Sequence, residues 1–366
     1  MSRQYYLDLA ARSVAMPIGT ELVLKEHPRH AEALTNGDLL GPVLEQAAHR
    51  FHTPLAFPVM DLQLEKAILL EILGVPVADV ASFHFDACPA QERVDEVRDR
   101  LRHGPLTARM KANNAAIHYI ATRTKLVPVG MCIGPFSLMT KLLADPITPV
   151  YLAGSGETAE ESPEVALVER CLELGVTVIL ESLRHQIAAG ARAIFIAEPA
   201  ANKVYLSPNQ LDQGSDIFER YVMAYNRRIT ALLDEHGVDL FFHCCGELTG
   251  YMVGQFAELR PVLLSLGSSR NLAEDARIVA KDIVLFGNLP SKQFYSDKII
   301  LPDAVEKNGR ELVAAMKAAG HPFILGTECD TLTVPGCEKQ IWSKVDALMR
   351  CSCANPLGAV LGGAIP

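Results

Sequence analysis

The sequence predicts a single (β/α)8 barrel, and three observations point to it. Eight short apolar, β-rich runs recur along the 366 residues, helical patterns separate them, and neither a low-complexity linker nor a second core divides the chain. Strands apolar at nearly every position are covered on both faces, as in a parallel sheet. Eight of them alternating with helices fit a closed barrel.

In chain order the runs are PLAFPVM (54–60), VASFHF (80–85), VPVGMCIG (127–134), AIFIAEP (193–199), VDLFFHCC (238–245), VLLSLGSS (262–269), IVLFGNL (283–289) and FILGTEC (323–329). The second is short and runs into a loop, FDACPAQE. Residues 1–53 are expected to form an N-terminal extension packed on the barrel, 54–350 the barrel, and 351–366 a Gly-rich C-terminal tail. Helices are expected over 216–237, 273–282 and 309–320, the last stopped by Gly320. Cys171, in the helical run VALVERCLELG, reads as core. One polar excursion, DPITPVYLAGSGETAEESPE (145–164), breaks the rhythm as either a functional lid or a tolerated surface insertion.

Bulk composition excludes several classes. The net charge is −9, from 34 basic against 43 acidic residues, with no dense basic run, so no nucleic-acid partner is expected. No apolar stretch approaches the roughly 20 residues of a membrane span, and MSRQYYLDLAARS lacks the apolar core of a secretion signal. Nine scattered cysteines suit reduced thiols in a cytoplasmic protein rather than a disulfide framework.

The residues that carry chemistry sit in FFHCCGEL (241–248). Strands of a barrel deliver functional side chains at their C-terminal ends, and residues two apart share a face. His243 and Cys245 therefore both face the mouth, while Cys244 turns outward into core. Gly246 suits a tight exit from the strand. Cys329 ends the eighth run at the same rim. One nitrogen and two sulfurs form a set suited to Zn²⁺, and three protein ligands leave a position open, as catalytic zinc requires. A His-x-Cys pair alone also occurs as core filler. Cys337 in VPGCEKQ is a competing third sulfur, and Cys351 and Cys353 read as structural or exposed.

VPVGMCIGPFSLMTKLL (127–143), LSPNQLDQ (206–213), HCCG (243–246), FGNLP (286–290) and FILGTECDTLTVPGCEKQI (323–341) stand in the order found in the uroporphyrinogen decarboxylase superfamily. Over about 54–350 the chain resembles its zinc-containing branch, the methylcobamide:thiol methyltransferases. That resemblance implies the barrel fold, zinc on His243, Cys245 and Cys329, and transfer of a methyl group between a corrinoid and a thiol activated by the metal. LLSLGSSRN (263–271) is similar to the segment that, in cobalamin-independent methionine synthase, can supply a glutamate ligand. Here Gly267 stands in that place, leaving an open position or a carboxylate from Glu198, Glu247 or Glu328. No D-x-H-x-x-G cobalamin signature is present, so the resemblance implies that methylcobalamin arrives on a separate corrinoid protein, for which 145–164 is a candidate contact.

Three further residues are candidates for catalytic roles. Glu198 closes the fourth run as a proton acceptor or positioning group, or simply binds backbone amides. Asp61, in FPVMDLQLE, matches the decarboxylase aspartate by position, or caps the next helix. Asn288 in FGNLP is expected near the mouth. The alternatives in function are a tetrapyrrole decarboxylase, although the arginine-rich N-terminal signature that would grip its acidic substrate is missing, and a non-enzymatic corrinoid- or porphyrin-binding barrel.

Overall fold

In the computed structural model, which describes residues 2–351, eight parallel strands form one curled sheet. They are β1 (Ala15–Met16), β2 (Leu55–Ala56), β3 (Val127–Ile133), β4 (Ala193–Ala197), β5 (Asp239–Cys244), β6 (Leu263–Leu266), β7 (Val284–Leu289) and β8 (Phe323–Thr327). Neighbours follow the order β1-β8-β7-β6-β5-β4-β3-β2, which is the wall of a (β/α)8 barrel with helices between the strands. Side chains bridge the seam between β1 and β2: the Thr53 hydroxyl donates to Met16 Sδ at 2.9 Å and the Thr20 hydroxyl to Phe57 O at 2.8 Å.

Two expectations are corrected. VASFHF (80–85) is not a strand but a looped plug, in which Phe83 and Phe85 meet edge to face at 5.1 Å and the Phe85 amide donates to Leu142 O. Its apolar residues serve packing, without a neighbouring strand edge to pair with. The missing strand is β1, which lies inside the expected N-terminal extension and pairs with β8 through Ala15↔Leu325 and Met16↔Gly326. The boundary at residue 53 therefore falls within the barrel.

Alternation along the strands divides the core in two. Val129, Met131, Phe195, Phe241, Leu263, Phe286 and Ile324 fill the barrel, while Cys132, Ile194, Phe242, Cys244 and Leu264 pack outward with the helices. The helix Arg3–Ala11 closes the N-terminal end: Tyr6 packs edge to face on Phe241 at 5.3 Å and donates its hydroxyl to Asp239 at 2.8 Å. Arg3 donates to the carbonyls of Arg260, Pro261 and Asp282.

The expected helices are present with altered limits. The helix Pro302–Ala319 does stop at Gly320, which has φ 60° and ψ 36°. Residues 216–237 contain a π-helical turn (Glu219–Met223) running into Ala224–Glu235. Residues 273–282 hold only the short helix Leu272–Asp275. The 145–164 excursion is no open lid, because it contains the helix Ile147–Gly154. Asp145 caps that helix, accepting from the amides of Ile147 and Thr148. Gln210, Ser215 and Arg220 tie its end down through Tyr151 O, Gly154 O and Ala153 O. Cys171 is buried in the helix Pro163–Ala188. No described helix is long and apolar enough to cross a membrane.

Candidate metal centre

β5 and β8 deliver three soft ligands to one point at the C-terminal end of the barrel. His243, Cys245 and Cys329 each place a ligand atom within 4.8 Å of the other two, and they form the one such group of three or more among the described residues. His243 is 1% exposed, while both sulfurs are half-buried, so the site is closed on its nitrogen side and opens toward the rim. Cys244 points outward, fully buried, with its thiol against Ala201 O. Cys337 sits at the N-cap of the helix Glu338–Met349 and is not part of the group. Cys351 is buried, and Cys353 lies outside the described residues.

The imidazole is held from two sides. Its Nδ1 meets the Ser265 hydroxyl at 2.8 Å, its ring stacks on Phe195 at 5.2 Å, and its Nε2 is buried with no hydrogen-bond partner. An orphaned buried ring nitrogen is costly unless something binds it. Strand register explains the Ser265 contact, since β5 and β6 align His243 with Ser265.

The two sulfurs shift each other's acidity in opposite directions. A hydrogen bond from Cys329 is the main cause that draws the Cys245 thiol far below its ordinary range, against the effect of burial and with help from His243 and Lys292. The same partnership pushes Cys329 up. Burial opposes charge on Lys292, yet Cys245, Cys329 and Glu328 overcome it and hold the ammonium above its ordinary value, with a hydrogen bond to Cys245.

These residues fit zinc. Tetrahedral Zn²⁺ with bonds of ~2.0–2.3 Å needs its ligand atoms only ~3.6 Å apart, a small closure from the observed spacing. The orphaned Nε2 and the soft donor set both call for a metal. Gly267 explains why no carboxylate comes from β6: a Cβ there would lie 2.7 Å from Cys245 O. None of the other candidate carboxylates joins the cluster. Glu247 is exposed and pairs with Lys203, and Glu328 accepts from the Ser268 amide and hydroxyl.

Glu198, Asp61 and Asn288 are placed in supporting positions. Glu198 is fully buried and accepts from the amides of Phe136 (3.3 Å) and Ser137 (2.6 Å) and from Asn226 Nδ2 (3.1 Å), so it caps the helix Pro135–Leu142. Burial raises its pKa despite those bonds. Gly134 makes room, since a Cβ there would overlap the carboxylate. Asp61 pairs with Arg109 at 2.7 Å and accepts from the Gln63 amide. Asn288 donates to Gly267 O and Arg270 O and so ties down the loop after β6. Gly246 is needed for close approach, as a Cβ would meet Asn202 and Pro199 O.

Sequence reasoning missed Ser265 and Lys292. Ser265 had a signal, being the one polar residue within LLSL. Lys292 in NLPSKQF had none beyond its place after a strand.

Two outcomes follow here. Ser265→Ala should weaken zinc affinity ~10–100-fold, the usual cost of losing the partner of a metal-bound histidine, as measured by competition with a chromogenic chelator. Glu65, near Asp61 on the helix Leu64–Ile72, is fully buried and has no partner for either oxygen, and burial raises its pKa to about 8. With its folded pKa above its unfolded one, stability is lost as pH rises from the unfolded value through about 8. Glu65→Gln should therefore flatten that part of the pH–stability curve, as urea titrations at pH 5 and pH 9 would show.

The frame is thus a parallel barrel with a His/Cys₂ cluster, a candidate metal site, at its C-terminal rim. The chain matches the family described as uroporphyrinogen decarboxylase (URO-D) over residues 24–339, and it belongs to that family. Its structure is similar to that of a methyltransferase from Methanosarcina mazei, with 18% sequence identity, 92% of each chain covered and a TM-score of 0.62; that likeness concerns the fold. Among curated proteins no match is found.

Proposed function

We propose that the protein is a zinc-dependent methyltransferase that moves a methyl group between a methylated corrinoid, carried by a separate protein, and a small thiol. The observation that carries this reading is the meeting of His243, whose Nε2 is buried without a partner, with Cys245 Sγ and Cys329 Sγ. Zinc bound there would leave one position for a thiol and supply the charge that strips its proton at neutral pH.

The chain's own residues do the rest. Ser265 fixes the imidazole so that Nε2 faces the metal. With zinc bound, the Cys245 and Cys329 thiolates would neutralise the dication, and Lys292, held charged beside them, would offset the negative charge of an added thiolate. Asn288 and Glu198 hold backbone in place rather than exchange protons with substrate. Exposed apolar side chains occur in segments that follow several strands: Tyr151 after β3, Val204 after β4, Tyr251 after β5, Tyr295 after β7 and Leu332 after β8. Such exposed apolar residues are candidate contacts for a corrinoid protein. Family membership and the methyltransferase fold neighbour support the reading.

The test is the absorbance of methylcobalamin incubated with zinc-loaded protein and 2-mercaptoethanol. Expected is loss of the methyl–cobalt band at a rate that depends on both thiol and zinc. Protein that holds no zinc after chelator-free purification, or that leaves the band unchanged, overturns the proposal.

A further inference from the structure

Lys344, on the helix Glu338–Met349, is 0% exposed. Burying an ammonium is costly unless bonded partners satisfy it, so its partners show what it serves. Its three donors meet three acceptors: Gln340 O on its own helix at 3.3 Å, Phe294 O at 2.9 Å and Asp297 Oδ1 at 2.5 Å. The last two lie on the segment 290–301, which links β7 to the helix Pro302–Ala319. Gln340 adds a second tie from the same helix, its Oε1 accepting from the Asp297 amide at 3.0 Å. Phe294 is itself fully buried, so packing as well as bonding pins the segment.

The near end of that segment grips the strand end that bears Cys329. The Ser291 hydroxyl donates to Cys329 O at 3.1 Å and reaches Asp330 O at 3.4 Å, and the Glu328 amide donates to Leu289 O at 2.7 Å. Ser291–Gln293 is a single 3₁₀ turn. Lys292, whose ammonium hydrogen-bonds to Cys245, therefore stands between the residue that holds Cys329 and the carbonyl that Lys344 holds. We propose that Lys344 is a positioning residue for the metal centre, acting through Phe294 O and Asp297 on the turn that fixes Cys329 by Ser291 and carries Lys292. Its effect on a bound metal rests on the zinc–thiol reading above. Its hold on the Cys329 turn does not.

Lys344→Met keeps the bulk of the side chain and removes its three donors. Hydrogen exchange read by mass spectrometry on metal-free protein tests the hold on the turn. Expected is exchange about tenfold faster across 289–297 and 328–331, with β4, across the barrel, exchanging as in wild type. Cobalt(II) in place of zinc tests the effect on the metal. The sulfur-to-cobalt charge-transfer band should shift or weaken in Lys344→Met and in Ser291→Ala, and zinc affinity should fall about tenfold by chelator competition. Because both residues act along one line, the double variant should lose no more than the worse single one, where independent effects would multiply. Asp297→Ala, at a half-exposed position, is the second variant if Lys344→Met does not fold, with the same changes at smaller size. Wild type that binds neither zinc nor cobalt sinks the zinc–thiol reading and leaves the exchange arm to decide. Wild-type exchange at 328–331 in the folded variant overturns the proposal, and so does an unchanged cobalt band with unchanged zinc affinity, since Lys344 then serves stability alone.

Discussion

Cys245→Ala and Cys329→Ala should each purify with almost no zinc, against about one zinc per wild-type chain, while Cys244→Ala keeps its metal. Structural and catalytic zinc is held by a complete set of strong ligands, and removing one thiolate from a set of three ligands leaves a site of much lower affinity. Elemental analysis after chelator-free purification reads the result directly. The Cys244→Ala control matters because Cys244 lies between the ligands His243 and Cys245 in sequence but on the opposite face, packed against Ala201. Its loss removes a sulfur from the core and costs stability without touching the metal. Should Cys244→Ala lose zinc and Cys245→Ala keep it, the alternation of β5 would be the wrong frame for the site. Thiol-dependent loss of the methyl–cobalt band should vanish with the zinc in both ligand variants, by at least ~10³-fold if the metal supplies the thiolate.

Much of this site was readable in the sequence because strand alternation is a strong constraint. Once VDLFFHCC is a strand with Phe241 inside, His243 and Cys245 must share its face and Cys244 must not. Cys329 followed from the same reasoning applied to FILGTEC. What could not be read depends on contacts across the chain. β1 is two residues long, in SVAMPIGT, and owes its extended form to the edge of β8 rather than to any β-branched run of its own. VASFHF has the composition of a strand, yet it finds an aromatic contact and the Leu142 carbonyl instead of a strand edge. The helix at Ile147–Gly154 hides behind two prolines and two glycines, although Asp145 ahead of it is a capping residue. Gly267 is the clearest case of a departure that only three dimensions explain. At the place where the resemblance implied a glutamate ligand, the Cys245 backbone passes too close for any side chain, so this turn offers the cluster no carboxylate.

Glu198 gives the second large effect, and it separates two roles that sequence alone leaves equal. A carboxylate at the end of a barrel strand reads as a catalytic group, but this one turns away from the mouth to the first amides of the helix Pro135–Leu142. Deleting it in Glu198→Ala leaves the amides of Phe136 and Ser137 buried without acceptors and removes one of the two bonds made by Asn226 Nδ2. Charge-assisted bonds of this kind are worth ~1.5–3 kcal/mol each, and a loss of about 4 kcal/mol overall is expected. At ~2.1 cal/mol/K per residue over the described chain, this lowers the melting temperature by roughly 5 °C. Glu198→Gln keeps one acceptor and should lose about half as much. The kinetic readout decides between the roles: a cap leaves the per-molecule turnover of folded Glu198→Gln within about threefold of wild type, with zinc content unchanged. Removing a general acid or base instead costs ~10²–10⁴-fold. Such a loss in a folded, zinc-replete variant would return Glu198 to the chemistry and require the helix terminus to give up its carboxylate during turnover.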